Sequence, residues 1–139
     1  MTRELGDGTV SVIDSSTFRV IATIPVGLSP QFVAVDPDRT TVGVTNFGDG
    51  TVSVIDTGTL TVTKTISAGG RPSAIAAYNR RIYVTNADAG TVTVIDPTIS
   101  AVIATIPVGP KPFGVAVGSG SQIYVANQGN NTVSVVQGP

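Results

Sequence analysis

The acidic residues of this chain are its first candidates for chemistry. Asp14, Asp56 and Asp96 end three copies of one heptapeptide, and Asp36 and Asp38 form a closer pair in VDPDRTTV. Carboxylates can bind a cation or act as general acid and base. Each of these residues also follows an apolar run and opens a turn-like segment, where an Asp side chain commonly accepts hydrogen bonds from the backbone. We expect turn capping by Asp14, Asp56 and Asp96, because a repeat spreads its carboxylates and does not gather the six or more oxygens that Ca²⁺ requires. We also assign Asp36 and Asp38 to a turn, because neither corresponding loop keeps this pair and the sequence DPDR is itself a turn signal.

Three further motifs are incomplete. NADAG at 86–90 has the acidic look of a calcium loop but lacks a downstream Glu. The Gly-Ser-Gly of residues 118–120 lies between two predicted strands, so it does not open a helix that could bind a phosphate. Residues 130–132 form a glycosylation sequon, but they fall in a predicted hairpin turn. We assign all three to turns.

Composition narrows the function classes. The 139 residues carry a net charge of −1, with 12% charged residues and neither His nor Cys. This balance argues against nucleic-acid or membrane-surface binding, and the missing residues exclude disulfides, thiolate sites and the usual general base. No apolar run approaches 18 residues, and residues 1–10 lack the apolar core of a signal peptide, so we expect neither a membrane span nor a visible signal. We also expect no cofactor.

One segment recurs along the chain and predicts the fold. GTVSVID occupies residues 8–14 and 50–56, returns as GTVTVID at 90–96, and is altered to NTVSVVQ at 131–137. Each unit also holds three other short, β-branched strands, the first of which follows a Pro. A period near 40 residues with four strands per unit is typical of β-propeller blades. The sequence therefore predicts an all-β chain with essentially no helix.

The second full unit of the repeat carries a family resemblance in residues 82–109. IYVTN at 82–86, followed by GTVTVID and ATIPVG, resembles the YVTN-type β-propeller repeat over about residues 8–137. The chain departs from the pattern at Gly43, which stands where another unit has Tyr83, and at Ala126, Val136 and Gln137 in the last unit. The resemblance implies a propeller of the kind found in secreted, periplasmic or surface-layer proteins of prokaryotes. It also implies a likeness in fold to lactonase-type and quinoprotein-type propellers, and it fixes no activity.

The loop before each unit is the most interesting candidate site. It holds Ser29, Arg71 and Lys111 at one repeat position, on the face that surrounds the mouth of a propeller's central channel. Arg71 and Lys111 could attract a small anionic ligand there, whereas Asp49 and Asp88 on the same face would offset their charge. A solvated rim is the plainer interpretation.

Aromatic residues also recur. Tyr83 and Tyr124 share one repeat position, and Phe32 and Phe113 nearly share another. Stacking platforms for a ligand are one interpretation, and we favour packing between neighbouring blades.

The number of units does not close a ring. Residues 1–139 form a single propeller segment with a part-blade at 8–27, full blades at 30–69 and 72–109, and a part-blade at 112–137. Propellers typically have 4–8 blades, so a chain with strands for about three blades needs a partner to close a ring. We expect a homodimer with a six-bladed ring, in which the two part-blades of different copies combine and one third strand per shared blade is surplus.

Three functions remain open at this point. The first is a non-enzymatic scaffold or protein-binding module, and the second is a fragment of a larger lactonase-like or quinoprotein-like propeller enzyme whose active site is not evident here. The third is a structural element, such as a piece of a surface-layer protein or an assembly module.

Overall fold

Strands make up nearly all regular structure in the computed structural model, which describes residues 8–36 and 41–137. One 3₁₀ turn, Ser119–Ser121, is the only helical element within those ranges, so the prediction of an all-β chain is confirmed. The strands are β1 (Thr9–Asp14), β2 (Arg19–Pro25), β3 (Pro30–Val35), β4 (Thr41–Asn46), β5 (Thr51–Asp56), β6 (Thr61–Ser67), β7 (Pro72–Tyr78), β8 (Arg81–Asn86), β9 (Thr91–Asp96), β10 (Ala101–Pro107), β11 (Pro112–Val117), β12 (Gln122–Asn127) and β13 (Thr132–Gln137).

The strands form four antiparallel sheets in sequence order. β3–β6 make one four-stranded sheet, blade 1, and β7–β10 make a second, blade 2. β1 and β2 pair as the N-terminal part-blade, while β11–β13 form the three-stranded C-terminal part-blade. The innermost strands β3, β7 and β11 lie side by side. These are β-propeller blades, and the described residues do not close a ring.

The turn residues explain why each sheet is a meander. Gly50 and Gly90 have φ values of 71° and 70° in the turns between second and third strands, as predicted, and Asn131 takes the same conformation at 59°. Asn79 and Arg80 both have positive φ, which is the geometry of a two-residue type I′ hairpin between β7 and β8. These turn residues fix the pairing register within each sheet.

Apolar side chains on both faces of the strands hold the blades together. Each strand alternates, so one set of residues points toward the preceding blade and the other toward the following blade. We call these the rear and forward faces. Val52 and Val54 on the forward face of blade 1 pack against Ile75, Ile82 and other rear-face residues of blade 2. The same arrangement recurs at the other two junctions.

The predicted buried positions are confirmed with one exception. Val54 and Val94 on the third strands, and Val84 and Val125 on the second strands, are buried. Val12 is only half-buried, because its part-blade has no inner strands beside it in the described residues.

Candidate functional site

The Thr of the repeat motif joins adjacent blades. Thr85 donates a hydrogen bond of 2.8 Å from its hydroxyl to the carbonyl oxygen of Phe113, on the inner strand of the following sheet. Thr45 makes the equivalent contact to the carbonyl of Ser73, at 3.4 Å. The last unit has Ala126 at this position. The Thr is therefore a structural connection between blades, and the unit without it is the one that has no following blade in this structure.

The Asn of the repeat motif completes each blade from within. The Asn86 amide donates to the hydroxyls of Thr91 at 3.1 Å and Thr93 at 2.7 Å. Asn46 and Asn127 make the same pair of bonds in their own sheets. All three side chains are buried. The motif thus fixes the turn between second and third strands instead of forming a ligand site.

In two of the three units, the loop before the first strand lies beside the turn between the second and third strands. The Phe47 amide donates to the Ser29 carbonyl (3.1 Å), and the Gln128 amide donates to the Lys111 carbonyl (3.0 Å). Arg71, however, lies with its guanidinium carbon 4.4 Å from the centre of the Phe47 ring, a cation–π contact to the preceding blade. One face of the Arg71 guanidinium group is therefore already occupied by a contact within the protein.

Lys111 lies beside acidic and apolar residues of the neighbouring turn. It lines a shallow depression of about 380 Å³ with Asp88, Gly90 and Pro110. The depression is open to solvent and contains charges of both signs. The binding of an anionic ligand by Arg71 and Lys111 therefore stays a prediction.

The repeated Asp residues cap turns. The carboxylates of Asp14, Asp56 and Asp96 each accept a hydrogen bond from the amide two residues further on, at 2.8, 2.7 and 2.9 Å. The pKa of Asp14 and the pKa of Asp96 are lowered from the ordinary value, mainly because the hydroxyls of Ser16 and Thr98 also donate to these carboxylates. The capping interpretation accounts for all three residues.

Of the second acidic pair, Asp36 lies within the described residues. Asp36 is buried and its carboxylate accepts a 3.0 Å hydrogen bond from the Arg80 amide of blade 2. It therefore links two blades, a role that the turn interpretation missed. Asp38 lies outside the described residues. Within residues 8–36 and 41–137, no group of three or more His, Cys, Asp or Glu side chains could hold a metal ion.

The aromatic predictions were partly wrong. Tyr83 is buried between blade 2 and the C-terminal part-blade, and this desolvation raises the pKa of its phenol. Tyr124 is 40% exposed because no following blade covers it. Phe32 and Phe113 meet edge to face, with ring centres 5.6 Å apart, although a whole blade separates their strands. Their contact crosses the inner side of blade 2 and does not lie between neighbouring blades.

Two apolar sheet faces lie open at the ends of the array. On the C-terminal forward face, Val133 and Val135 are 62% and 58% exposed, whereas Val92 and Val94 at the same repeat positions are fully buried. On the N-terminal rear face, Ile13 is 60% exposed, whereas its counterpart Ile55 is 2% exposed. The exposed residue and its buried counterpart are apolar side chains of the same type in each comparison. They differ in whether a neighbouring blade is present.

A groove accompanies the N-terminal open face. Within the described residues, β1 pairs with β2 alone, so the edge of β1 that faces the inner strands is unpaired. Between this edge and β3 lies an open groove of about 240 Å³, lined by Thr9, Val10, Phe32 and Val33 among others. The sequence indicated that strands are missing here, but it gave no signal for the shape of the groove.

Comparison with known proteins supports the fold. The chain is similar to hydrazine synthase of Kuenenia stuttgartiensis, with a TM-score of 0.84 and 23% identity over 93% of this chain and 40% of that chain. It is also similar to apo AztD of Citrobacter koseri, with a TM-score of 0.65 and 24% identity over 78% of this chain and 31% of that one. The chain thus spans less than half the length of either protein. At these identities the likeness shows the β-propeller fold alone.

No family model matches the sequence, and no curated protein matches it. Among the described residues, no helix is long and apolar enough to cross a membrane.

Proposed function

We propose that this chain is a non-enzymatic propeller module of the YVTN type, which closes a six-bladed ring with a second copy of itself and serves as a scaffold or protein-binding platform. The observation that carries the proposal is the pair of open apolar faces at the two ends of the array. Their apolar side chains are of the same types as those at the buried blade junctions. One open face is a forward face and the other is a rear face, so the two are complementary.

The interior junctions indicate what covers the open faces. Val92 and Val94 pack on Ile123 and Val125 of the following sheet. In a blade shared by two copies, Ile13 of one copy would meet these valines of the other copy. Tyr124, at the repeat position of Tyr83, would cover the exposed Val33. A second copy therefore offers each open face the partner that the interior blades already use. Large exposed apolar faces of this kind generally mark interaction sites.

The acidic side chains favour a non-enzymatic role. Asp14, Asp56 and Asp96 cap turns in their own sheets, and Asp36 contacts a neighbouring blade. A hydrolase or dehydrogenase would need convergent carboxylates, a base or a metal in one pocket. Binding at the mouth face, with Arg71 and Lys111 on the rim, is the form of activity that fits the available residues.

The proposal is tested with two charge substitutions of equal exposure. Ile13→Lys places an ammonium group on the open rear face, and Ile99→Lys places one in a turn of blade 2 away from both open faces; the two isoleucines are 60% and 63% exposed. Sedimentation equilibrium should show that Ile13→Lys prevents dimer formation and that Ile99→Lys does not. Equal behaviour of the two variants would contradict the proposed use of these faces.

A second candidate is that the chain is a segment of a longer propeller enzyme. The observation that favours it is that 93% of this chain aligns to only 40% of the chain of hydrazine synthase, an enzyme. In that case further blades of the same polypeptide would cover the open faces. This candidate would be favoured if the 139-residue chain is monomeric in dilute solution and aggregates when it is concentrated, without forming a dimer.

A further inference from the structure

The ring of the proposed function requires a choice between two strands of nearly the same sequence. β1 reads TVSVID and β13 reads TVSVVQ. Both are third strands of a blade, and a shared blade has room for one of them beside β12. We propose that the β1–β2 hairpin of one copy enters the C-terminal part-blade of the other copy and displaces β13. This inference rests on the proposed dimer and specifies how it closes.

β12 binds its neighbour through groups that β1 also has. Asn127 donates from its amide to the hydroxyls of Thr132 and Ser134 on β13, at 3.1 and 2.9 Å. At the same register β1 presents Thr9 and Ser11. The two buried hydrogen bonds of Asn127 can therefore be kept when β1 replaces β13.

The two strands differ at their ends, and there β1 is the better third strand. β13 has Val136 and Gln137 where β1 has Ile13 and Asp14. In blade 2 the corresponding residues are Ile95, which is fully buried, and Asp96, which caps the turn into the fourth strand. Val136 packs against the cluster of Val92 and Val94. Ile13 would occupy that place with a larger apolar side chain.

Transfer of the whole hairpin conserves strand pairing. Replacing β13 by β1 exchanges one pairing for an equivalent one, keeps the β1–β2 pairing, and supplies the missing fourth strand. The unpaired edge of β1 and the open groove beside Phe32 and Val33 are where the inner strands of the receiving sheet would lie. The edge of β1 is thereby paired, and β13 is released from β12 in exchange.

Two disulfide locks separate this exchange from its alternatives, because the chain has no natural Cys. Ala126→Cys with Val133→Cys links β12 to β13, and Val12→Cys with Ala22→Cys links β1 to β2; each pair is directly opposite in register. The first pair is exposed and the second is half-buried, and directly opposite residues have the Cα separation that a disulfide needs. Each variant is compared with its own reduced form, which cancels the effect of the substitutions.

We expect the oxidised β12–β13 lock to weaken dimerisation by at least about 100-fold relative to its reduced form, and the oxidised β1–β2 lock to leave it unchanged. Dimers with both locks closed would show that the open faces stack without exchange, which would overturn this inference and the six-bladed count while keeping association through the open faces. Loss of the dimer with the β1–β2 lock, alone or together with the other, would show that β1 must leave its hairpin, which also overturns it. A parent chain that never dimerises would overturn both proposals.

Discussion

Blade 2 and the C-terminal part-blade are built from nearly the same residues and have different surroundings. Their second strands read IYVTN and IYVAN, and their Asn86 and Asn127 make the same two hydrogen bonds to strand hydroxyls. Tyr83 is nevertheless 4% exposed and Tyr124 is 40% exposed. The comparison separates two levels of structure. The sheet is formed by local turns and pairing, whereas the burial of its faces is contributed by the next sheet.

This separation predicts which substitutions have matching effects in the two sheets. Positions that act within one sheet should behave alike in both, and positions that depend on a neighbour should not. Stability is best compared in the Ile13→Lys background, where we expect the chain to stay monomeric.

The largest expected difference is between Val94→Ala and Val135→Ala. Val94 is fully buried, so its truncation should lower the free energy of unfolding by about 1–3 kcal/mol through lost burial and a cavity. Val135 is exposed, and its truncation should change the free energy of unfolding by less than about 0.5 kcal/mol. Urea denaturation of the two variants measures both values. Equal losses would mean that the forward face of β13 is covered in the monomer.

A smaller and equal effect is expected for Asn86→Ala and Asn127→Ala. Each substitution removes two hydrogen bonds to hydroxyls of the same sheet and should lower the free energy of unfolding by about 1–2 kcal/mol. The same denaturation experiment applies. A much smaller loss for Asn127 would show that the C-terminal sheet is not formed independently of a following blade.

The smallest expected effect concerns pH and the turn caps. The pKa of Asp96 is lowered in the folded chain, so its ionised form stabilises the fold fully above the ordinary Asp pKa of about 3.9, and this contribution is lost as the pH falls through the folded pKa. Asp14 in the N-terminal part-blade should behave in the same way, because its cap is local. Carboxyl NMR titration should place both pKa values below 3.9, and an ordinary value for Asp14 alone would contradict the local origin of the cap.

Much of the fold could be predicted from the sequence because its determinants are local and repeated. Gly50 and Gly90 specify the left-handed turn positions, and the alternation in β5 and β9 specifies two buried faces. The repeat also indicated that Asp56 and Asp96 cap turns. These features depend on residues a few positions apart, which a single sequence displays directly.

Contacts between blades were harder to predict. The link from Asp36 to the Arg80 amide joins residues 44 positions apart, and Arg71 contacts Phe47 of another blade. Phe32 and Phe113 meet across a whole intervening sheet. The repeat shows that these positions are equivalent, but it carries no information on the curvature that brings them together. Exposure of Tyr124 likewise depends on which blades surround it.

The central claim is that the two open faces form blade junctions with a second copy of this chain. Sedimentation equilibrium of the parent chain over a wide range of concentration tests it most directly. The account predicts a compact species of twice the 14.1 kDa chain mass, which dissociates when Ile13 is replaced by Lys. A trimer would keep the closure argument and change the number of blades to nine. A soluble monomer that persists at every concentration would contradict the claim.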